Sequence, residues 1–285
     1  MAERLADITT QLKTVRQLGS VVTAMRGIAA ARAQQSRALL AGTEAYSQVI
    51  VQAIEQALSL LPSAAPLARG PAARGVILFC AEQGFAGAFS DRVFGAAGHD
   101  LERAVLFLVG THGVARAIER GLKLAWSAPM AAHVDGVPRL ANRLAEAVYG
   151  RIVAGAVTEI ELIFSRLLPA GGVVIDRHSL FPVELGRFAA RSGCQPPLTT
   201  LAPAVLLEHL AEEYVYAQLC QAAMHAFEAE NGARMMAMAA ARTNIDSKLE
   251  ELSRRERKLR QDEITAEVME LTAGAKAIKS PSSAQ

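Results

Sequence analysis

Apolar residues near the start of the chain recur at alternating steps of three and four. Leu5, Ile8, Leu12, Val15, Val22 and Ala29 keep this rhythm, with Gly19 and Arg26 in the two remaining slots of the stripe. Such a 3-4 alternation is the seam of a coiled coil. No proline precedes Pro62, so the pattern predicts one helix from about residue 3 to about residue 58, roughly 80 Å long at 1.5 Å per residue. A helix of that length outruns the core of a small domain and needs an equally long partner. The other end of the chain supplies one. From Ala204 to about Gly274 there is no proline, and Gly232 interrupts the helix formers. Ile245, Leu249, Leu252 and Leu259, then Ile264, Val268 and Leu271, again step by three, four and seven. Pro203 stands where a helix opens, as its fixed φ favours. At 1.5 Å per residue this second helix approaches ~105 Å, and Lys279 to Ser283 read as a frayed end. Two very long helices at opposite chain ends imply an antiparallel pair.

The middle of the chain has a different pattern. Gly75 to Cys80 and Ala104 to Val109 are short apolar runs of the kind found in strands buried on both faces. Glu159 to Phe164 and Val173 to Ile175 are further candidate strands. Helical stretches lie between them at about 87–98, 112–120 and 138–152, the last opening just after Pro138. Strand–helix alternation predicts a small α/β domain with a largely parallel sheet. The expected organisation is a coiled-coil helix at 1–60, an α/β domain at 72–182 and a second coiled-coil helix at 203–275. A Pro/Ala linker at Pro62 to Pro71 and a link at 183–203 containing Gly193, Pro196 and Pro197 join the parts.

Composition agrees with this picture and removes several functional classes. Hydrophobic residues are 51% and aromatics 5% of the 285 residues. Much of the apolar content is Ala, which favours helices and lets them approach closely. A charged fraction of 20% is too low for a disordered chain. The net charge is +2, yet the first forty residues carry Arg4, Lys13, Arg16, Arg26, Arg32 and Arg37 against Glu3 and Asp7. That asymmetry fits an acidic partner surface, phosphates, or nothing specific. Cys80, Cys194 and Cys220 are far apart, with no metal-ligand spacing, and read as thiols in a reducing compartment. No run of 18 apolar residues is present, so no helix is expected to span a membrane. The Arg-rich N-terminus resembles a transit peptide, but its pattern continues unbroken into the long helix.

Four local motifs invite a chemical reading. Gln83-Gly84-Phe85-Ala86-Gly87-Ala88-Phe89 follows a strand and opens a helix, the place where phosphates are cradled. It is neither a dinucleotide fingerprint nor a P-loop, and a tight strand-to-helix turn explains it without a ligand. Ser90 and Asp91 with His112 or His178 have no spacing that orders a nucleophile, and no nucleophile elbow is present. Arg254, Arg255, Arg257, Lys258 and Arg260 form the densest charge run. Glu256 breaks it and no aromatics interleave, which argues against nucleic acid and leaves a solvated face or an acidic protein partner. Gly232 to Asn244 combines Met with small residues, as in close helix packing.

Taken together, these residues resemble the gamma subunit of F-type ATP synthases. Ala233-Arg234-Met235-Met236-Ala237-Met238 through Asn244 resembles that family's A-R-M-x-A-M-x-x-A-x-x-N signature. Arg260-Gln261 followed by Glu263-Ile264-Thr265-Ala266-Glu267 resembles its R-Q-x-x-I-T-x-E close, with Gly274-Ala275 as the small-residue ending. Ala24-Met25, then Ala29-Ala30-Ala31 and Arg32, resembles the family's K-A-M-x-M-V-A-A-x-K. Gly84-Phe85-Ala86-Gly87 resembles the turn in S-D-R-G-L-C-G-x-x-N. The chain departs from the family at Thr23 for Lys, Ala81-Glu82-Gln83 for Ser-Asp-Arg, Ala86 for Cys and Ser90 for Asn. These departures fit a divergent bacterial branch, with the sodium-motive variant as an alternative.

The resemblance implies a central rotor shaft without catalytic residues, cofactor or metal of its own. The two long helices would stand inside a ring of alpha and beta subunits. The α/β domain would face the membrane, near the epsilon subunit and the c-subunit ring, which would decide between H⁺ and Na⁺. It implies a peripheral position on the cytoplasmic face of the bacterial inner membrane. Carry-over places Arg234, Arg260 and Gln261 as polar contacts to a beta loop with Met25 nearby; the charge run itself suggests that Arg254, Arg255, Arg257 and Lys258 face an acidic beta segment. Two other readings are a small nucleotide-binding α/β enzyme with helical arms and a coiled-coil scaffold unrelated to ATP synthase.

Overall fold

A computed structural model describes residues 2–60, 73–169, 171–183, 188 and 198–279. The Pro62 to Pro71 linker, Cys194, Gly193, Pro196 and Pro197 of the second link, and the tail after Lys279 lie outside the described residues. Helix α1 spans Ala2–Leu58 and helix α5 spans Pro203–Lys279. Between them come β1 (Arg74–Phe79), α2 (Phe89–Ala97), β2 (Val105–Val109), α3 (Thr111–Glu119), β3 (Leu124–Ala128), α4 (Val137–Val153), β4 (Glu159–Leu167) and β5 (Val173–Phe181). The chain divides into two compact units, residues 1–27 with 238–285 and residues 28–237, and α1 and α5 contribute to both.

In the first unit the two chain ends pair antiparallel. Leu12 and Val22 of α1 and Ile245 and Leu252 of α5 are buried along the seam. The Arg242 guanidinium donates to the Gly19 carbonyl at 3.4 Å and to Thr23 Oγ1 at 3.2 Å. A Cβ on Gly19 would stand 3.3 Å from both Arg242 Nη1 and Ile245 Cγ2, so the missing side chain lets the helices close there. Two expectations need correction. Arg26 is exposed, and half-buried Met25 takes the position between Val22 and Ala29. Three successive steps in a helix can be 3, 3 and 4 without leaving the stripe, and an apolar thioether replaces a guanidinium that would have lost its water. Ile264, Val268 and Leu271 do not continue the seam; they are 55%, 53% and 73% exposed. With Gly19 opposite Arg242 and Ile245, the start of α1 falls opposite residues near 260, and α5 continues past it.

The second unit is built on a sheet of order β3-β2-β1-β4-β5. β1 to β4 are mutually parallel and β5 pairs antiparallel with β4. Side chains alternate across the central strand. Val76, Leu78 and Cys80 pack with Val93, Phe94, Leu106, Leu108 and Ala117 under α2 and α3. Ile77 and Phe79 pack with Phe107, Val109, Leu144, Val148, Leu219 and Phe227 under α4 and α5. Both faces are thus covered, which is why the inner strands read as continuous apolar runs. The edge strand β3 has no such run, because Ala128 alone of its five residues is buried.

α1 and α5 are antiparallel in this unit too. Ser36 Oγ donates to the Met224 carbonyl at 3.1 Å, Arg37 pairs with Glu228 at 2.8 Å, and Gln218 Nε2 donates to Ser47 Oγ at 3.0 Å. Here α5 has neighbours on every side, and residues 222–232 are buried without interruption. Gly232 has a specific cause: a Cβ there would stand 2.9 Å from both methyls of Leu167, at the end of β4. Helix propensity disfavours Gly by about 1 kcal/mol, and this close crossing offsets it.

Candidate functional site

The turn between β1 and α2 lies at the C-terminal ends of the parallel strands, where open α/β sheets bind their ligands. In this chain that place is filled from within. The Glu82 carboxylate accepts from the Thr111 amide at 2.9 Å and hydroxyl at 2.7 Å, and from the Met130 amide at 2.7 Å. It therefore occupies the N-terminus of α3, the position an anion would take. Phe85 is 68% exposed and Phe85 and Gly87 have φ of 62° and 63°, so the turn is tight and partly strained.

α5 grips the same turn from the other side. Glu230 Oε2 accepts from the Glu82 amide at 3.0 Å and Glu230 Oε1 from the Gln83 amide at 3.2 Å. Arg234 donates to the carbonyls of Gln83 at 3.1 Å and Gly84 at 3.2 Å, to Asn231 Oδ1 at 3.2 Å and to Glu230 Oε1 at 2.5 Å. Asn231 in turn donates to the Phe227 carbonyl at 2.8 Å. Glu230, Asn231 and Arg234 are 3%, 3% and 5% exposed. Buried charge is tolerated only when paired and hydrogen-bonded, and each of these groups is.

Arg234, expected at a partner's loop, is therefore engaged inside its own chain. The sequence reading missed Glu82, Glu230 and Asn231. A usable signal was present: Glu228, Glu230, Asn231 and Arg234 stand in an otherwise apolar stretch of α5, and residues four apart share one helix face.

Arg260, Gln261, Arg254, Arg255, Arg257, Lys258 and Met25 lie in the unit of residues 1–27 and 238–285, apart from Arg234 in the unit of residues 28–237. The six polar ones are exposed and Met25 is half-buried in the seam. Arg254, Arg255 and Arg260 each reach back one turn, to Glu250 at 3.5 Å, Glu251 at 2.5 Å and Glu256 at 3.3 Å. Arg257 Nε donates to the Ser253 carbonyl at 3.2 Å. Exposed one-turn pairs hold their members weakly.

The triad suggested by Ser90, Asp91 and a histidine is not assembled. Buried Ser90 Oγ accepts from the Ala81 amide at 3.1 Å, and Asp91 is paired with Arg120 at 2.6 Å and Arg116 at 3.3 Å. A polar cleft of about 640 Å³ lies between α1, α5 and the β4–β5 hairpin, lined by Arg37, Glu44, Arg166, Asp176 and His225. Its charges are largely matched, Arg37 to Glu228 and Arg166 to Asp176 at 2.6 Å. His225 stacks on Phe164 with ring centroids 5.8 Å apart, and burial pushes its imidazole pKa down.

The ATP synthase family profile covers residues 4–278. The chain belongs to the ATP synthase gamma family. A gamma chain from Parafrankia sp. is 27% identical, over 98% of this chain and 99% of its own length. Among solved structures, a chain of the Euglena gracilis mitochondrial ATP synthase, in its OSCP/F1/c-ring assembly, superposes with a TM-score of 0.66. It shares 13% identity and covers 100% of this chain and 99% of its own. A chain from the rotor of the same enzyme gives a TM-score of 0.61 at 12% identity, covering 93% and 100%. At such identities the likeness establishes the gamma fold, two long terminal helices around a mostly parallel sheet, and the family profile establishes membership.

Proposed function

We propose that this gamma-family chain is the non-catalytic rotor shaft of an F-type ATP synthase, turning within a ring of alpha and beta subunits. The observation that carries the reading is the first unit. Its two chain ends pair along a narrow seam, while Ile264, Val268, Met269 and Leu271 on α5 and Leu18 and Val21 on α1 stay exposed. Apolar side chains in that number on a two-helix surface call for a surrounding protein. Two helices within a threefold ring contact each beta subunit differently. That difference in contact energy shifts each beta between conformations, and nucleotide binding biases the shaft angle in return.

Nucleotide chemistry belongs to the surrounding subunits, since the strand ends where this chain would hold a phosphate carry its own Glu82 and Glu230. Arg260 and Gln261 offer polar contacts to a beta loop, and Arg254, Arg255, Arg257 and Lys258 face an acidic beta segment. The α/β domain serves the epsilon subunit and the c ring, on the cytoplasmic side of a bacterial inner membrane. Among the described residues no helix is long and apolar enough to cross a membrane.

Reconstitution with alpha and beta subunits tests this. One copy of the chain is expected per ring, with ATPase activity that depends on it. Replacing Ile264, Val268 and Leu271 by Asp together is expected to abolish assembly, and Arg260→Ala with Gln261→Ala to leave assembly intact while lowering ATPase activity. A wild-type chain that fails to enter the ring would refute the proposal.

A further inference from the structure

We propose that Glu230 and Arg234, braced by Asn231, form a torque clamp: positioning residues that lock the β1–α2 turn to α5 so that load on the helix reaches the α/β domain without slip. The proposal rests on the rotor reading above. Its physical basis is the number and direction of the contacts. Glu230 takes the amides of two consecutive residues, Glu82 and Gln83, one on each oxygen. Arg234 donates to two consecutive carbonyls, of Gln83 and Gly84. Three residues of backbone are thus held by donors and acceptors at once. Held this way, the turn cannot move along α5 or rotate about it without breaking several bonds together.

The grip extends beyond the turn. Glu82, fixed through its amide, uses its carboxylate to hold the Thr111 amide at the end of β2 and the Met130 amide beyond β3. A continuous hydrogen-bonded path therefore runs from α5 to the ends of three neighbouring strands. The apolar packing around it, with Phe227 and Phe79 in the same core, is non-directional and does not by itself fix the register of the turn on α5. A buried ion pair is also a weak source of stability, since well-packed apolar residues do as well or better. What it adds is a fixed register.

A plain intrahelical Glu–Arg pair would make the same bond to each other without touching the turn. The exchange Glu230→Arg with Arg234→Glu separates the two ideas. It keeps the one-turn pair and removes both sets of backbone contacts. Two quantities are measured: amide exchange at Glu82 and Gln83 in the full-length free chain, and ion uptake per ATP hydrolysed by the complex in vesicles.

The clamp predicts that the exchanged pair and Arg234→Gln raise amide exchange at both positions by about tenfold or more. It predicts a loss of ion uptake per ATP hydrolysed relative to wild type, with ATP hydrolysis retained. Arg234→Lys, which keeps the charge but cannot reach both carbonyls and Glu230, falls between. An exchanged pair indistinguishable from wild type in both measurements overturns the clamp. So does faster amide exchange with an unchanged ion-to-ATP ratio in Arg234→Lys, the variant least exposed to misfolding. Failure of the wild-type chain to join alpha and beta would count against the rotor reading, and the amide exchange of the free chain would still decide whether the turn is locked.

Discussion

The same two helices are held in opposite ways in the two compact units. In residues 1–27 and 238–285 each helix buries one stripe, and charged residues of α5 such as Arg242 and Arg255 pair with neighbours one turn away at the surface. In residues 28–237 the stretch 222–232 of α5 is buried all round between α1, α4 and the sheet, and Glu228 and Arg234 also bond to residues far away in the chain. A seam gives stiffness while leaving most of the helical surface for partners. An enclosed helix gives them up for a fixed orientation against the sheet.

Truncation mutants test that contrast most directly. Phe227→Ala, in the enclosed stretch, is expected to cost about 3–5 kcal/mol of unfolding free energy, through lost transfer energy and an unfilled cavity. Leu252→Ala, at 1% exposure in the seam, is expected to fall near the low end of the Leu→Ala range, about 2 kcal/mol, because two helices can close up where a packed sheet cannot. Denaturant unfolding of the two variants measures both. Equal losses would erase the distinction between seam and enclosure.

Gly232→Val sharpens it at one contact. A side chain there meets Leu167 at 2.9 Å, and overpacking of this kind costs about 1–3 kcal/mol. Adding Leu167→Ala should recover part of the loss. No recovery would mean that α5 is limited by something other than β4.

The smallest effect is a pH dependence confined to the enclosed unit. Burial lowers the pKa of His225 below its ordinary 6.5. As pH falls, the unfolded chain therefore takes up the proton before the folded one does. The contribution to stability is complete above about pH 6.5 and declines below it, levelling once folded His225 is also protonated. His225→Leu is expected to flatten that part of the stability–pH curve. A curve with the same slope would show that another group titrates there.

Much of the fold was legible because its signals are local. The proline-free ends with their 3-4 rhythm correspond to α1 and α5, and the apolar runs at 75–80, 104–109 and 159–164 to β1, β2 and β4. Strand β3 was not, since an edge strand with one buried residue has too little pattern to read. The site was less legible than the fold. Arg234 stood out by resemblance to a family motif, while its actual partners, Gln83 and Gly84, are about 150 residues earlier and are touched through their backbones. A contact to a carbonyl leaves no trace in the identity of the residue that supplies it.

The sequence by itself determined two long terminal helices, an α/β middle and membership of the ATP synthase gamma family, because period, propensity and motif are written along one dimension. Only the tertiary structure decided that Met25 and not Arg26 lies in the seam, that α5 continues beyond its partner with an apolar stripe exposed, and that Arg234 closes on its own chain. Those outcomes depend on the register between distant segments and on which charges lose their water. Both are set when the segments meet.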